Sequence, residues 1–263
     1  TDQSQCTGRR CPHIAQCSFF RAREGLEEAD VIVTNHALVL SDLRLGGGVI
    51  LPAPEDSLYI FDEGHQLPAK CLNQFALRFH AGGTLQGLRD SERWLVASVE
   101  ATVAQSLDER LIPSMTSLLT DLIQRSEDAA ELLWRLLPHN EFERAEYRFP
   151  HGRIPADLAE QAAGLVAQWG QLNREATRLE AALDNNQSSR ASSAEGATAS
   201  TMDPDLNLAN AQGLVARAEQ QLAVWRTFAD APGEGQPGDG WARWCHHRGT
   251  PQTIECQASP ILP

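Results

Sequence analysis

Ser57-Leu58-Tyr59-Ile60-Phe61-Asp62-Glu63-Gly64-His65 is the stretch on which the reading of this 263-residue chain turns. Leu58 to Phe61 are apolar without a break, follow the turn-rich Pro52-Ala53-Pro54-Glu55-Asp56 and stop short of Gly64. That pattern predicts a short strand buried on both faces. Asp62 and Glu63 then stand at its C-terminal end, the edge at which parallel α/β sheets bind ligands, so the pair is expected to face a crevice. Two carboxylates buried without a cation are costly. The arrangement suits nucleotide hydrolysis, with Asp62 holding Mg²⁺ through water, Glu63 orienting or deprotonating the attacking water, and His65 across the same crevice. A plainer alternative makes Asp62 the N-cap of a helix that opens at Glu63, and on this stretch alone the two readings stand level.

Immediately upstream, Val31-Ile32-Val33 is a second short apolar run ending in polar residues, Thr34-Asn35-His36. As another strand it would bring Asn35 and His36 to the crevice of Asp62; alternatively both simply start a helix through Leu38 to Leu43. Gly46-Gly47-Gly48 and residues 52–56 form the turn between the two runs. A further helix is expected over Ser18 to Glu28.

The chain contains one lysine, Lys70, between Ala69 and Cys71, and no Gly-Lys-Ser or Gly-Lys-Thr. A phosphate-cradling loop needs that lysine after a glycine-rich turn. The sequence therefore offers the metal and water half of a nucleotide site without the phosphate half. A net charge of −13 argues against binding DNA by bulk attraction. The first 25 residues are the exception at +2, against −15 for the rest, which puts phosphate contacts nearest Arg9 and Arg10.

Cys6, Cys11 and Cys17 form a Cys-x4-Cys-x5-Cys cluster on a polar, loop-like segment. Three thiols so close in sequence converge readily on one metal centre. Zinc with His13 as fourth ligand, an iron–sulfur cluster with a further cysteine, and no metal at all are equal on spacing. Cys71, Cys245 and Cys256 are scattered. With 42% apolar residues, no apolar run of membrane-spanning length and no signal peptide in Thr1 to Gln5, a cytosolic chain with reduced thiols is expected.

Beyond Leu67 the period becomes helical. Residues 83–137 read as two helices divided near Asp108 to Pro113, and Tyr147-Arg148-Phe149 as a short extended piece. A helix from Pro155 carries Leu158, Ala162, Leu165, Trp169, Leu172, Ala176, Leu179 and Leu183 at steps of four and three, a coiled-coil-like seam. A partner helix repeats it with Leu208, Ala211, Val215, Ala218, Leu222 and Trp225. Both tryptophans are assigned to packing. Asp184 to Pro204 reads as a flexible hairpin tip and Ala231 to Gly240 as a hinge. Trp241 to His246 and Thr253 to Ser259 look like strands returning to the sheet the chain left, which makes the helical bundle an insertion in an α/β domain.

Taken together, the cysteine cluster, Ala29-Asp30-Val31-Ile32-Val33-Thr34-Asn35-His36-Ala37-Leu38 and Ile60-Phe61-Asp62-Glu63-Gly64-His65 resemble, in order and spacing, the DinG-type (XPD-like) iron–sulfur superfamily 2 DNA helicases. The resemblance implies a RecA-like fold divided into a cluster segment (1–28), a first motor-domain segment (29–68), a helical arch domain (69–240, with a flexible loop at 184–204) and a return into motor domain 1 (241–263). It implies ATP and Mg²⁺ at a DEAH, or Walker B, box matched by Asp62, Glu63, Gly64 and His65, where Gly64 replaces the commoner alanine. It also implies a [4Fe–4S] cluster on Cys6, Cys11 and Cys17, with the fourth ligand upstream. The implied activity is 5′-to-3′ unwinding of forked or duplex DNA in repair or replication, by a monomer on single-stranded DNA in the bacterial cytoplasm at the nucleoid. Arg9, Arg10, Asn35 and His36 are its candidate DNA contacts. The Walker A loop and second motor domain of that family have no counterpart in the sequence, so the chain by itself is expected not to hydrolyse ATP. The competing reading is a self-contained metal-binding helical module for interaction or redox signalling.

Overall fold

The computed structural model describes residues 16–26, 28–99, 110–137, 145–192, 204–232 and 239–260. The chain divides into two units, Thr1–Ala76 and Leu77–Pro263. The boundary falls eight residues beyond the end of the expected motor segment.

In the first unit, α1 spans Ser18–Glu24, α2 His36–Arg44 and α3 Leu67–Phe75, the last preceded by a single 3₁₀ turn, Gly64–Gln66. Helix α1 stops four residues before the expected end at Glu28, with Gly25 at its C-cap. Between α2 and α3 the chain runs through turns and a 3₁₀ turn at Pro54–Asp56, and residues 57–61 belong to no helix or strand. Neither 31–33 nor 57–61 is a strand among the described residues, which corrects the expectation of a buried parallel sheet here. Leu58 and Ile60 are 89% and 87% exposed, and Val31 and Val33 are exposed as well. The physical reason is that a central strand exists only through neighbours that take its N–H and C=O groups and cover its faces, and no described strand lies beside either run. Val39, Leu40, Leu51 and Ala76 are the buried apolar residues of this unit among those described.

The second unit is mostly helical with a small antiparallel sheet. It contains β1 (Leu77–His80), α4 (Ala81–Trp94, continued by a wider turn over Leu95–Val99), α5 (Leu111–Leu136), β2 (Ala145–Arg148), α6 (Ala156–Ser192), α7 (Pro204–Ala229), β3 (Trp241–His247) and β4 (Glu255–Pro260). The seam read from the sequence is observed: all eight positions from Leu158 to Leu183 on α6 are buried, as are Leu208, Ala211, Ala218, Leu222 and Trp225 on α7. Leu214 is buried where Val215 was expected, and Val215 is only partly covered. Trp169 and Trp225 are fully enclosed, consistent with packing. Helix α6 runs to Ser192, so nine residues of the stretch read as a hairpin tip are helical.

The two C-terminal strands form, but they do not rejoin the 57–61 stretch. The sheet order is β1-β4-β3-β2, all antiparallel, with Phe79 opposite Cys256, Cys256 opposite Cys245, and Cys245 opposite Tyr147. Phe79 of this row meets Trp225 of the bundle at 4.8 Å between ring centroids, and Phe149, just after β2, meets Phe228 edge-on at 6.0 Å. Strands β3 and β4 pair within the helical unit because β1 and β2 offer edges there, which no local pattern reveals.

Candidate functional site

The helical start of α2 follows from Asn35, whose backbone is extended and whose side-chain oxygen accepts from the Leu38 N–H at 2.9 Å. That is an N-cap, so of the two readings of this motif the helix start is the one observed. His36, the first residue of α2, stacks on Phe61 with 5.8 Å between centroids and 7° between planes. His36 thus lies against Phe61, the residue before Asp62, through a ring contact and not through paired strands.

At the turn itself, Asp62 Oδ1 accepts from the Glu63 N–H at 2.9 Å. Glu63 adopts φ 51° and ψ 40°, left-handed backbone that a non-glycine residue occupies at a cost of roughly 1–2 kcal/mol. Glu63 and His65 pair at 3.2 Å on an exposed surface. Asp62 is therefore not the side-chain cap of a helix opening at Glu63; its carboxylate braces the turn and keeps further lone pairs for a ligand. A Cβ at Gly64 would meet nothing within 4 Å, so alanine and glycine are sterically interchangeable there.

Two residues of this unit carry roles that the sequence reading missed. Lys70 on α3 places Nζ 3.0 Å from His36 Nδ1. Asp42 on α2 is fully buried and accepts from four successive backbone N–H groups, Gly48 and Val49 at 2.9 Å, Ile50 at 2.5 Å and Leu51 at 3.3 Å. Burial raises its pKa, but the four N–H donors outweigh this and hold the carboxyl below its ordinary value. Gly46, Gly47 and Gly48 all have positive φ, which lets the backbone fold back over Asp42. The signal available in the sequence was an acid in the last helical turn just before three glycines.

Of the expected metal ligands, Cys17 is a free, half-buried thiol at the N-cap of α1. Cys6 and Cys11, like Arg9 and Arg10, lie outside the described residues. Among the described residues no group of three or more His, Cys, Asp or Glu side chains could hold a metal ion. Cys245 and Cys256 are buried opposite each other on β3 and β4; burial first, and the Cys245 thiol beside it second, push the Cys256 thiol well up. Among the described residues no helix is long and apolar enough to cross a membrane.

No protein-family profile matches the chain. Over 156 residues it is 34% identical to a protein of Photobacterium profundum named ATP-dependent DNA helicase DinG, covering 58% of this chain and 22% of that relative. Proteins of the same name from Escherichia coli and Salmonella typhimurium are 28% and 27% identical, each covering 92% of this chain and 32% of the relative. The chain thus spans a third or less of the curated relatives it matches. Across nine-tenths of its length, then, this chain is similar to a part of the ATP-dependent DNA helicases named DinG.

Proposed function

We propose that the chain is the middle portion of a DinG-type, ATP-dependent 5′-to-3′ DNA helicase, contributing the water-activating half of an ATP site and the helical arch past which single-stranded DNA threads. The observation that carries this reading is the similarity to proteins named ATP-dependent DNA helicase DinG over 92% of the chain. It is supported by the exposed Asp62–Glu63–His65 turn, held between α2 and α3. The bare apolar faces of Val31, Val33, Leu58 and Ile60 support it too, as surfaces that further strands of a RecA-like motor sheet would cover. Mg²⁺ carried with ATP would be held by Asp62 and would neutralise charge developing on the transferred phosphoryl group. Glu63 orients or deprotonates the attacking water, and His65 keeps the Glu63 carboxylate directed across the turn. Cys6, Cys11 and Cys17 would hold a [4Fe–4S] cluster, and Arg9, Arg10, Asn35 and His36 would lie along forked or duplex DNA. Monomeric action in the bacterial cytoplasm, at the nucleoid, in repair or replication belongs to the same reading. A self-contained metal-binding module is not favoured, because the likeness runs through nearly the whole chain.

The decisive experiment is Glu63→Gln in the full-length protein. ATP hydrolysis should fall by at least ~100-fold while nucleotide binding persists. A variant hydrolysing ATP within about threefold of wild type would overturn the assignment.

A further inference from the structure

Lys70 is the single lysine of the chain, and its ammonium meets His36 Nδ1 at 3.0 Å. An ammonium offers only protons, so Lys70 donates and His36 Nδ1 accepts. The same ring stacks on Phe61, and Phe61 in turn stacks on Tyr59 at 6.1 Å and 12°. Phe61 directly precedes Asp62, and Lys70 lies on the helix that follows Glu63. A single side chain therefore touches the chain on both flanks of the Asp62–Glu63 turn. Two more contacts close α2 against α3: Gln74 Nε2 donates to Ser41 Oγ at 2.8 Å, and Arg44 to the Gln74 carbonyl at 3.4 Å. The approach to the turn has no β-ladder among the described residues, and its Leu58 and Ile60 side chains are bare. The aromatic stack is thus what anchors this approach to a helix.

We infer that His36 is a positioning residue for the Asp62–Glu63 pair: stacked on Phe61 and held by Lys70, it sets the direction in which the turn presents its two carboxylates. The inference rests on the hydrolytic role proposed for that pair. Phe61 carries the effect, because a pinned ring fixes the side-chain and backbone torsions of the residue from which Asp62 departs. Lys70 keeps the imidazole in one orientation. Displacing a reacting group by an ångström can lower a rate by up to ~100-fold, so loss of the stack should appear in turnover and not in substrate affinity.

The test is steady-state ATP hydrolysis by the full-length protein with His36→Ala, His36→Phe and Lys70→Met, alongside thermal melting of each variant. His36→Ala should lower kcat by ~10-fold with KM for ATP within about twofold of wild type. His36→Phe, which keeps a flat ring against Phe61, should recover kcat to within about threefold of wild type, and Lys70→Met should cost about threefold. Loss of folded enzyme would also lower apparent kcat at unchanged KM, so the fall counts for positioning where His36→Ala melts with wild type. If His36→Ala melts early, the other two variants decide, and a loss of ~10-fold or more in His36→Phe overturns the inference. An active wild type with kcat unaffected by His36→Ala overturns the positioning role alone. A full-length wild type without hydrolysis overturns the role of Asp62 and Glu63 and the inference with it.

Discussion

Replacing Asp42 by alanine should release the backbone over residues 46–51 without unfolding the rest of the first unit. The carboxylate is fully buried, its Oδ2 serves Gly48, and its Oδ1 serves Val49, Ile50 and Leu51. A hydrogen bond to a charged acceptor contributes about 1.5–3 kcal/mol net. Four bonds to one group do not add, since the freed amides recover water once the turn opens, so the loss should be ~3 kcal/mol. That corresponds to a fall of ~100-fold in amide protection at these positions. Hydrogen exchange read by mass spectrometry on peptides covering 46–52 measures it directly. Asp42→Asn should lie between wild type and alanine, because its oxygen can keep the Oδ1 contacts while its amide N–H₂ faces the Gly48 N–H. The folded pKa is depressed, so the stabilisation is complete above the unfolded carboxylate value near 3.9 and is lost as pH falls through the lower folded value. Protection corrected for intrinsic exchange should therefore be flat from about pH 5 to 8. Protection in Asp42→Ala within about threefold of wild type would refute the assignment of this carboxylate as the turn's anchor.

In the second unit, the Arg243 side chain is fully buried, donating to the carbonyls of Thr227 at 2.6 Å and Gly152 at 2.9 Å and pairing with Asp239. Asp239→Ala leaves that charge without its partner and should cost ~2–3 kcal/mol, less than a fully buried pair because Asp239 is 27% exposed; adding Arg243→Met should recover part of the loss in a denaturant melt. Gly152→Ala should lower the melting temperature by ~4–12 °C, because φ is +71° and the new Cβ would lie 2.6 Å from the Trp241 carbonyl oxygen. In the full-length protein, Cys6→Ser, Cys11→Ser and Cys17→Ser should each remove the visible absorbance of an iron–sulfur cluster, whereas Cys245→Ser and Cys256→Ser should leave it. Bleaching by either of the latter would place a ligand in the sheet.

The α6–α7 pair was legible from the sequence because a repeat of three and four residues decides by itself which side of a helix is apolar. Each residue of the seam from Leu158 to Leu183 lies buried where that period puts it. Trp241 to His246 and Thr253 to Ser259 likewise read as strands, and strands form over Trp241–His247 and Glu255–Pro260, the second starting two residues late because Pro251–Thr253 is a 3₁₀ turn. Their partners were not declared. Pairing joins residues distant in the chain, and Leu77–His80 and Ala145–Arg148 captured these edges inside the helical unit. For the same reason Leu58 to Phe61, a strand by composition, stays unpaired and bare: the sequence determines that it can enter a sheet, but only a neighbouring strand makes it one. Asp62 and Glu63 could be singled out by type and spacing alone. That His36 and Lys70 flank them was decided by the tertiary structure, because a contact across 34 residues leaves no period in the sequence, whereas the Asp42 contacts span only six to nine residues and had a local signal in the glycines that follow.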